Sequence, residues 1–230
     1  MLNISGIPVE INKKNIKNMR LYVKPPNGDV MVSAPLEMTN DTIERFVLSK
    51  VSWIKKQIAK FYNQQQQSER GYLSGETLYV WGNQYNLQVK TGKKNTVSLS
   101  GDTAILTTRR KSTAEQRKKI VNEWYRELLI AEIEQLLPKW EKRTNLKITS
   151  WQTRNMTSRW GSCKPKTGKI LFNIQLAKKP PECLEYIILH ELLHLVEKRH
   201  NEKFKMLLGK FMPTWKKVKK LLNNQTLDSM

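Results

Sequence analysis

The placement of the histidines constrains the fold of this sequence more than any other feature. The chain of 230 residues contains three histidines, and His190, His194 and His200 all lie within one short segment. On an α-helix, residues four apart lie about 40° apart on one face, with a rise of about 6 Å. His190 and His194 can therefore direct both imidazoles at one ion, and Glu191 lies one step around the helix. This is the HExxH pattern, in which two histidines bind zinc and the glutamate acts as general base.

A catalytic zinc ion requires three protein ligands and one open position. On a continuous helix His200 would point about 240° away from His194. The pattern therefore predicts that the helix ends between Leu195 and Arg199 and that the chain then turns back. Asn201 is a residue type that begins helices, which favours a new helix after this turn.

The identity of the third ligand follows by elimination. A glutamate from a later helix is excluded, because the only acid that follows Glu202 is Asp228 in the terminal tail. The spacing of His200 matches the third histidine of metzincins, but Glu197 stands where those proteins have glycine. We therefore interpret His200 as the third ligand without assigning the chain to the metzincins.

The remaining pattern predicts an α+β protein with two domains. Residues 1–111 form a mainly β N-terminal module, with turns at residues 25–28, 82–83 and 101–102 and a helix over residues 43–58. This module has no motif of its own, and we expect it to recognise substrate or a partner. We find no internal repeat in the sequence.

Residues 112–230 are predicted to form the second domain. A long amphipathic helix over residues 113–141 is followed by strands within residues 146–177. Pro180 and Pro181 set the start of the HExxH helix, since proline suits a first helical turn. Two further helices are expected after His200.

Charge and composition indicate partners and compartment. Lys and Arg total 41 against 20 acids, which gives a net charge of +21 spread along the chain. Such a field favours polyanions, including nucleic acid, although a solvated lysine-rich surface explains it equally well. No apolar stretch is long enough to span a membrane, so no membrane partner is expected. Two cysteines cannot form a disulfide framework and no secretion signal is evident, so we expect a cytoplasmic protein.

Several motifs together resemble the YgjP-like metallopeptidases, which are relatives of the SprT-type and WLM-type proteases. The matching positions are Arg159 to Cys163 (RWGSC), Asn173, His190 to His194, His200 and Phe204. Similar features before residue 111 extend the resemblance over nearly the whole chain. It implies a zincin-like catalytic domain, zinc bound by His190, His194 and His200, and Glu191 as base.

The leading functional prediction is a zinc-dependent metallopeptidase, in which Glu191 activates a zinc-bound water to hydrolyse peptide bonds. Candidates for oxyanion stabilisation or substrate contact are Tyr186, Arg159 and Asn173. The strand around residues 171–174 is expected to pair with an extended substrate by β-addition. The named relatives act on DNA-attached proteins, which suggests DNA-associated substrates here.

Two alternatives use the same metal site. The first is a hydrolase of the nucleotide pyrophosphatase type, because a basic cleft would attract a triphosphate. The second is a non-catalytic binding module with structural zinc. Glu191 argues against the second alternative, because a structural zinc site is closed and needs no base.

Overall fold

The structure is a computed structural model that describes residues 2–24, 27–68, 71–109 and 111–224. The chain divides into two compact units, residues 1–69 and residues 70–228. Both units combine strands with helices. The predicted α+β class is therefore confirmed.

The first unit is a four-stranded sheet followed by two helices. Its elements are β1 (Leu2–Ile4), β2 (Ile7–Lys14), β3 (Arg20–Lys24), β4 (Asp29–Pro35), α1 (Asn40–Leu48) and α2 (Val51–Ser68). The strand order is β1-β2-β4-β3, and only the central pair β2 and β4 is parallel. The predicted hairpin at residues 25–28 corresponds to the antiparallel pair β3 and β4, although residues 25 and 26 lie outside the described residues.

The single helix predicted over residues 43–58 is two helices. Thr39 begins α1 by accepting a hydrogen bond from the backbone N–H of Thr42. Ser49 ends it, because its hydroxyl donates to the carbonyl of Phe46 at 2.7 Å and its N–H donates to the carbonyl of Arg45. The break is short enough that apolar spacing continues across it, so periodicity alone could not reveal it.

The second unit begins with another four-stranded sheet and a long helix. These elements are β5 (Thr77–Val80), β6 (Asn83–Thr91), β7 (Thr96–Ser100), β8 (Thr103–Thr108) and α3 (Ala114–Thr144). The turns predicted at residues 82–83 and 101–102 join β5 to β6 and β7 to β8. Thr113 and Gln116 form a capping box that begins α3, and the helix runs through Pro138.

The two sheets share one topology. The second has the order β5-β6-β8-β7 with a parallel central pair, as in the first unit. The first hairpin of each sheet turns through two residues of positive φ, Ser5-Gly6 in one and Trp81-Gly82 in the other. The similarity of the two sheets lies in strand pairing and turn conformation and not in residue identity, so it is compatible with the absence of a repeat in the sequence.

The rest of the second unit is a small sheet and three helices. Its elements are β9 (Ser150–Arg154), β10 (Gly161–Lys164), β11 (Lys169–Asn173), a 3₁₀ turn (Ile174–Lys178), α4 (Pro181–Leu193), α5 (Glu202–Phe211) and α6 (Trp215–Asn224). The strand order is β10-β11-β9.

One core joins both sheets of the second unit. Buried side chains of β8, α3, β11, α4 and α6 belong to a single hydrophobic cluster, for example Leu106, Tyr125, Phe172, Leu189 and Leu222. The domain boundary predicted between residues 111 and 112 falls inside this unit. The recognition role assigned to residues 1–111 stays a prediction. Among the described residues, no helix is both long and apolar enough to cross a membrane.

Candidate metal centre

Helix α4 carries the first histidine through the centre of the second unit. Nine of its 13 residues are buried, which is the pattern of a helix covered on all sides. Pro181 occupies the first turn, as predicted, where its missing N–H has no intrahelical partner to lose. The helix axis is thus fixed by packing, and His190 lies in its last turn.

The chain turns back directly after this helix. His194 is the C-cap residue, and the N–H groups of Leu195 and Glu197 bond to the carbonyls of Leu192 at 3.0 Å and Leu193 at 2.9 Å. The helix therefore ends slightly earlier than predicted, and the predicted reversal is present.

A new helix starts immediately beyond the reversal. The side chain of Asn201 accepts a hydrogen bond from the N–H of Phe204 at 3.0 Å and begins α5, as expected from its residue type.

The reversal brings the three imidazoles together. The ring centroids of His190, His194 and His200 lie 4.8 Å apart in every pair. Their potential ligand atoms all lie within 4.8 Å of one another, and the Nε2 atoms of His190 and His200 are 2.9 Å apart. Nitrogens bound to one tetrahedral zinc ion are expected about 3.4 Å apart. The three side chains therefore fit one zinc ion.

The hydrogen bonds of the imidazoles fit the same assignment. Nδ1 of His194 lies 3.0 Å from the carbonyl of Glu197, which leaves Nε2 of His194 free for a metal. A backbone carbonyl on the second ring nitrogen is the usual partner of a metal-binding histidine. Nδ1 of His190 is buried and has no hydrogen-bond partner among the described residues.

The electrostatics keep the imidazoles of His190 and His200 in the neutral form that binds metal. Burial, followed by the neighbouring imidazoles and Lys219, lowers the pKa of His190 from 6.5 to about 3. Burial, His194 and Lys219 also lower the pKa of His200. Neutral imidazoles bind zinc without first losing a proton. His190 and His200 can therefore bind the metal directly near neutral pH.

Phe204 supports the cluster from α5. Its ring is buried, and its centroid lies 4.9 Å from that of His190, 4.8 Å from that of His194 and 4.9 Å from that of His200. The ring stacks on His194 and meets the other two imidazoles edge-on. In the sequence Phe204 is only a position that matches the family, and its packing role is visible in the structure.

Glu191 lies in the same pocket and is only 4% exposed. Burial raises the pKa of its carboxyl to about 8, and the charge of Arg159 opposes this shift. A Cβ atom on Gly161 would lie 2.7 Å from Oε1 of Glu191. Glycine at residue 161 therefore leaves enough space for the carboxyl in its observed position. Gly161 was part of the sequence motif, but its role is visible only in three dimensions.

Tyr186 lies one turn before His190 and also lines the pocket. Its ring centroid is 5.7 Å from that of His190, and its side chain is buried. Burial, followed by the charge of Glu191, raises the pKa of its hydroxyl to about 12. The hydroxyl therefore stays protonated at neutral pH and remains a hydrogen-bond donor.

Asn173 is fully buried and organises the segment before β10. Its amide donates to the carbonyls of Met156 and Arg159, both at 2.7 Å. Its side-chain oxygen accepts from the N–H groups of Met156 and Gln175, both at 3.2 Å. Both amide hydrogens are engaged, so the structure leaves Asn173 no donor for an oxyanion. Asn173 thus holds the backbone of Arg159, whose side chain is exposed.

The pocket has a volume of about 190 Å³. Trp160 and Gly161 line it from one side, Tyr186 and Glu191 from α4, and Lys219 from α6. Helical periodicity alone could not show which surface α6 turns toward the pocket, so the position of Lys219 is visible only in three dimensions.

The strand expected to pair with substrate is not free to do so. β11 lies between β10 and β9 and is bonded to both, so the prediction for residues 171–174 is wrong. β10 is the strand beside the pocket, and its outer edge pairs with no other strand in the described part of the chain.

Comparison with known proteins agrees with this geometry. The family model of the YgjP-like metallopeptidase domain matches residues 17–225. The chain belongs to this family. Membership in the YgjP-like family supports a metallopeptidase, hence a hydrolase with a metal cofactor and a polypeptide substrate.

Solved structures show weaker similarity. Jannalysin of Methanocaldococcus jannaschii, a metallopeptidase zymogen, is 22% identical with a TM-score of 0.36, over 40% of this chain and 94% of its own. Abylysin of Pyrococcus abyssi, also a zymogen, is 20% identical with a TM-score of 0.39, over 43% of this chain and 98% of its own. No curated protein matches this chain.

Proposed function

We propose that this YgjP-like protein is a zinc-dependent endopeptidase in which Glu191 is the general base. The observation that carries the proposal is the convergence of three imidazoles on one point, beside a pocket that also contains the buried Glu191. A structural zinc site needs no such base and no open pocket, which makes the non-catalytic alternative the weaker one.

Each residue has one task in this proposal. His190, His194 and His200 hold the metal, and a bound zinc ion lowers the pKa of water and polarises a carbonyl. Glu191 removes one proton from the attacking water and delivers it to the nitrogen of the departing amine. Positive charge beside a carboxyl favours its ionised form, so Glu191 is expected to act as base only in the loaded site.

Stabilisation of the developing oxyanion falls to the remaining polar groups of the pocket. Tyr186 is the better candidate, because its hydroxyl is a protonated donor beside His190. Arg159 is exposed, and its charge acts on Glu191. We assign Asn173 a supporting task, since it holds the carbonyl of Arg159 rather than a substrate.

The free edge of β10 supports endopeptidase activity. An extended peptide can add to a sheet edge through backbone hydrogen bonds, which read few side chains. Gly161 begins β10 and also contacts Glu191, so a peptide on this edge would pass the base. We propose β10, not β11, as the strand that pairs with substrate.

The proposal also covers the partner and the cellular compartment. The net charge of +21 supports nucleic acid as a partner and DNA-associated proteins as substrates. The cytoplasmic location stays a prediction. The nucleotide pyrophosphatase alternative would use the same metal site and is decided by the assay below.

The test compares three variants in two assays. Glu191→Gln should keep about one zinc per chain but lose about 10²- to 10⁴-fold in cleavage of an unfolded protein substrate. His194→Ala should lose the zinc. Glu182→Gln is the matched control, because Glu182 lies in the first turn of the same helix and outside the pocket.

Zinc content is measured by elemental mass spectrometry, and turnover on the unfolded protein and on nucleoside triphosphates in parallel. A fully active Glu191→Gln variant would exclude Glu191 as the base. If the wild-type protein hydrolyses nucleoside triphosphates but not the unfolded protein, and Glu191→Gln loses this activity, the pyrophosphatase alternative replaces the peptidase.

A further inference from the structure

Helix α6 presents one cation to the pocket beside the metal centre. Val218 and Leu222 are buried in the core and fix the inner face of the helix. Lys219 and Asn223 follow them on the adjoining edge, one helical turn apart, and both line the pocket. Lys219 is therefore carried by an anchored helix, and its backbone position does not depend on a mobile loop.

No acidic side chain in the described part of the chain forms an ion pair with Lys219. The side chain of Lys219 is exposed. Its charge reaches the metal centre, where it contributes to lowering the pKa of His190 and of His200. Arg159 adds a second positive charge that acts on Glu191, and Glu191 is the one acid among the described residues that line the pocket.

We propose that Lys219 binds a carboxylate of the substrate, so that the enzyme prefers peptides with an acidic group in the segment that occupies this pocket. The inference rests on the proposed peptidase function and adds its substrate class. A carboxylate is the group of a polypeptide that complements an uncompensated ammonium. Its source is an aspartate or glutamate side chain or the C-terminal carboxylate.

The test uses the zinc-loaded full chain and matched fluorogenic peptides. In one series, a single position of the peptide at a time is varied among Glu, Gln and Lys, and every peptide has an amidated C-terminus. A second series carries Gln throughout these positions and a free C-terminus. The enzymes are wild type, Lys219→Gln, Lys219→Glu and Lys220→Glu. Lys220 is the control, because it is exposed on the same helix but does not line the pocket.

At one scanned position, wild type should cleave the Glu peptide with a kcat/KM about threefold to tenfold above that of the Gln peptide, as expected for an exposed charge pair. The difference should reside in KM and shrink with added salt, because it reflects substrate binding. Lys219→Gln should abolish the preference and Lys219→Glu should reverse it toward Lys. Lys220→Glu should behave like wild type. A preference for the free C-terminus alone would identify that carboxylate as the bound group.

Two results would overturn the inference alone: an unchanged preference in Lys219→Glu, or an equal change in Lys220→Glu. Failure of wild type to cleave any peptide would contradict the peptidase function itself. Zinc content and melting temperature of each variant separate a specificity change from a folding defect.

Discussion

At the residue scale, the candidate site depends on a glycine as much as on its charged groups. Gly161 lies where β10 meets α4, and an added methyl would approach Oε1 of Glu191 to 2.7 Å and Cγ2 of Ile187 to 3.0 Å. Real Cβ atoms do not come so close to a buried neighbour, so any side chain at residue 161 must displace the carboxyl. The position of the Glu191 carboxyl, which we propose as the base, is thus determined from the opposite wall of the pocket.

The substitution Gly161→Ala tests this contact. We expect about a tenfold or greater loss in kcat, because a displaced base transfers protons poorly. Zinc content should be unchanged, since no ligand is touched. Steady-state kinetics and metal analysis provide the measurement.

Gly209→Ala is the control for this substitution. Its nearest neighbour would be Nε1 of Trp215 at 3.7 Å, an ordinary contact, and alanine within helix α5 should stabilise by about 0.5–1 kcal/mol. Equal activity of Gly161→Ala and Gly209→Ala would show that the close approach has no catalytic consequence.

The residues of the site were predictable only in part. His190, Glu191 and His194 are predicted by helical spacing, and His200 is the strongest candidate for the third ligand because the only acid that follows Glu202 is Asp228. Gly161 and Lys219 approach the site from other elements, and contacts between distant segments leave no periodicity in the sequence. Asn173 was recognised as a motif residue, but its four hydrogen bonds to the backbone are visible only in three dimensions.

At the element scale, the end of α4 and the start of α5 build the candidate metal centre. The chain reverses direction over residues 195–200, after the end of α4, and Asn201 fixes where α5 begins. Phe204 lies in the first turn of α5 and contacts all three imidazoles. The helix cap is therefore coupled to the geometry of the ligands.

The substitution Asn201→Ala tests that coupling. Loss of the cap should cost about 1 kcal/mol in the free energy of unfolding. Because Phe204 and His200 flank the cap, zinc affinity should also fall, by a few fold. Chemical denaturation and competition with a chromogenic chelator measure the two effects.

Asn201→Asp should restore both stability and zinc affinity, because aspartate caps helices as well as asparagine does. A loss of stability with unchanged zinc affinity would show that the cap does not position the ligands.

The elements themselves were predictable where turns mark them. The hairpins of the second unit follow from Gly82-Asn83 and Gly101-Asp102, which lie between apolar runs. The sequence analysis left β1 and β2 unassigned. It also merged α1 with α2, because the cap at Ser49 interrupts no apolar repeat. Pairing order within each sheet requires contacts that a linear pattern does not contain.

At the scale of the whole molecule, charge is the dominant feature. The net charge of +21 is distributed along the sequence and does not form a terminal tail. A field of this size attracts polyanions without selecting a sequence, and salt screens it. Any binding to nucleic acid should therefore be electrostatic.

Binding to a fluorescent DNA duplex tests this property. The logarithm of the association constant should fall linearly with the logarithm of salt concentration, with a slope of about −5 if about six phosphates are contacted. Fluorescence anisotropy between 50 and 200 mM salt measures the slope.

Lys220→Glu, as a single change in a distributed field, should reduce the magnitude of that slope by about one at most. A response that does not vary with salt would contradict electrostatic binding and remove nucleic acid as a partner.

The unpaired outer side of β10 has a further consequence for crowded solutions. A strand with open N–H and C=O groups is a template on which a second copy of the protein can also assemble. Two features oppose such self-association: the strand is only four residues long and ends in Lys164. Mutual repulsion between highly cationic copies adds to them. The surplus of lysines would then keep copies of the protein apart while the edge that we propose for substrate stays open.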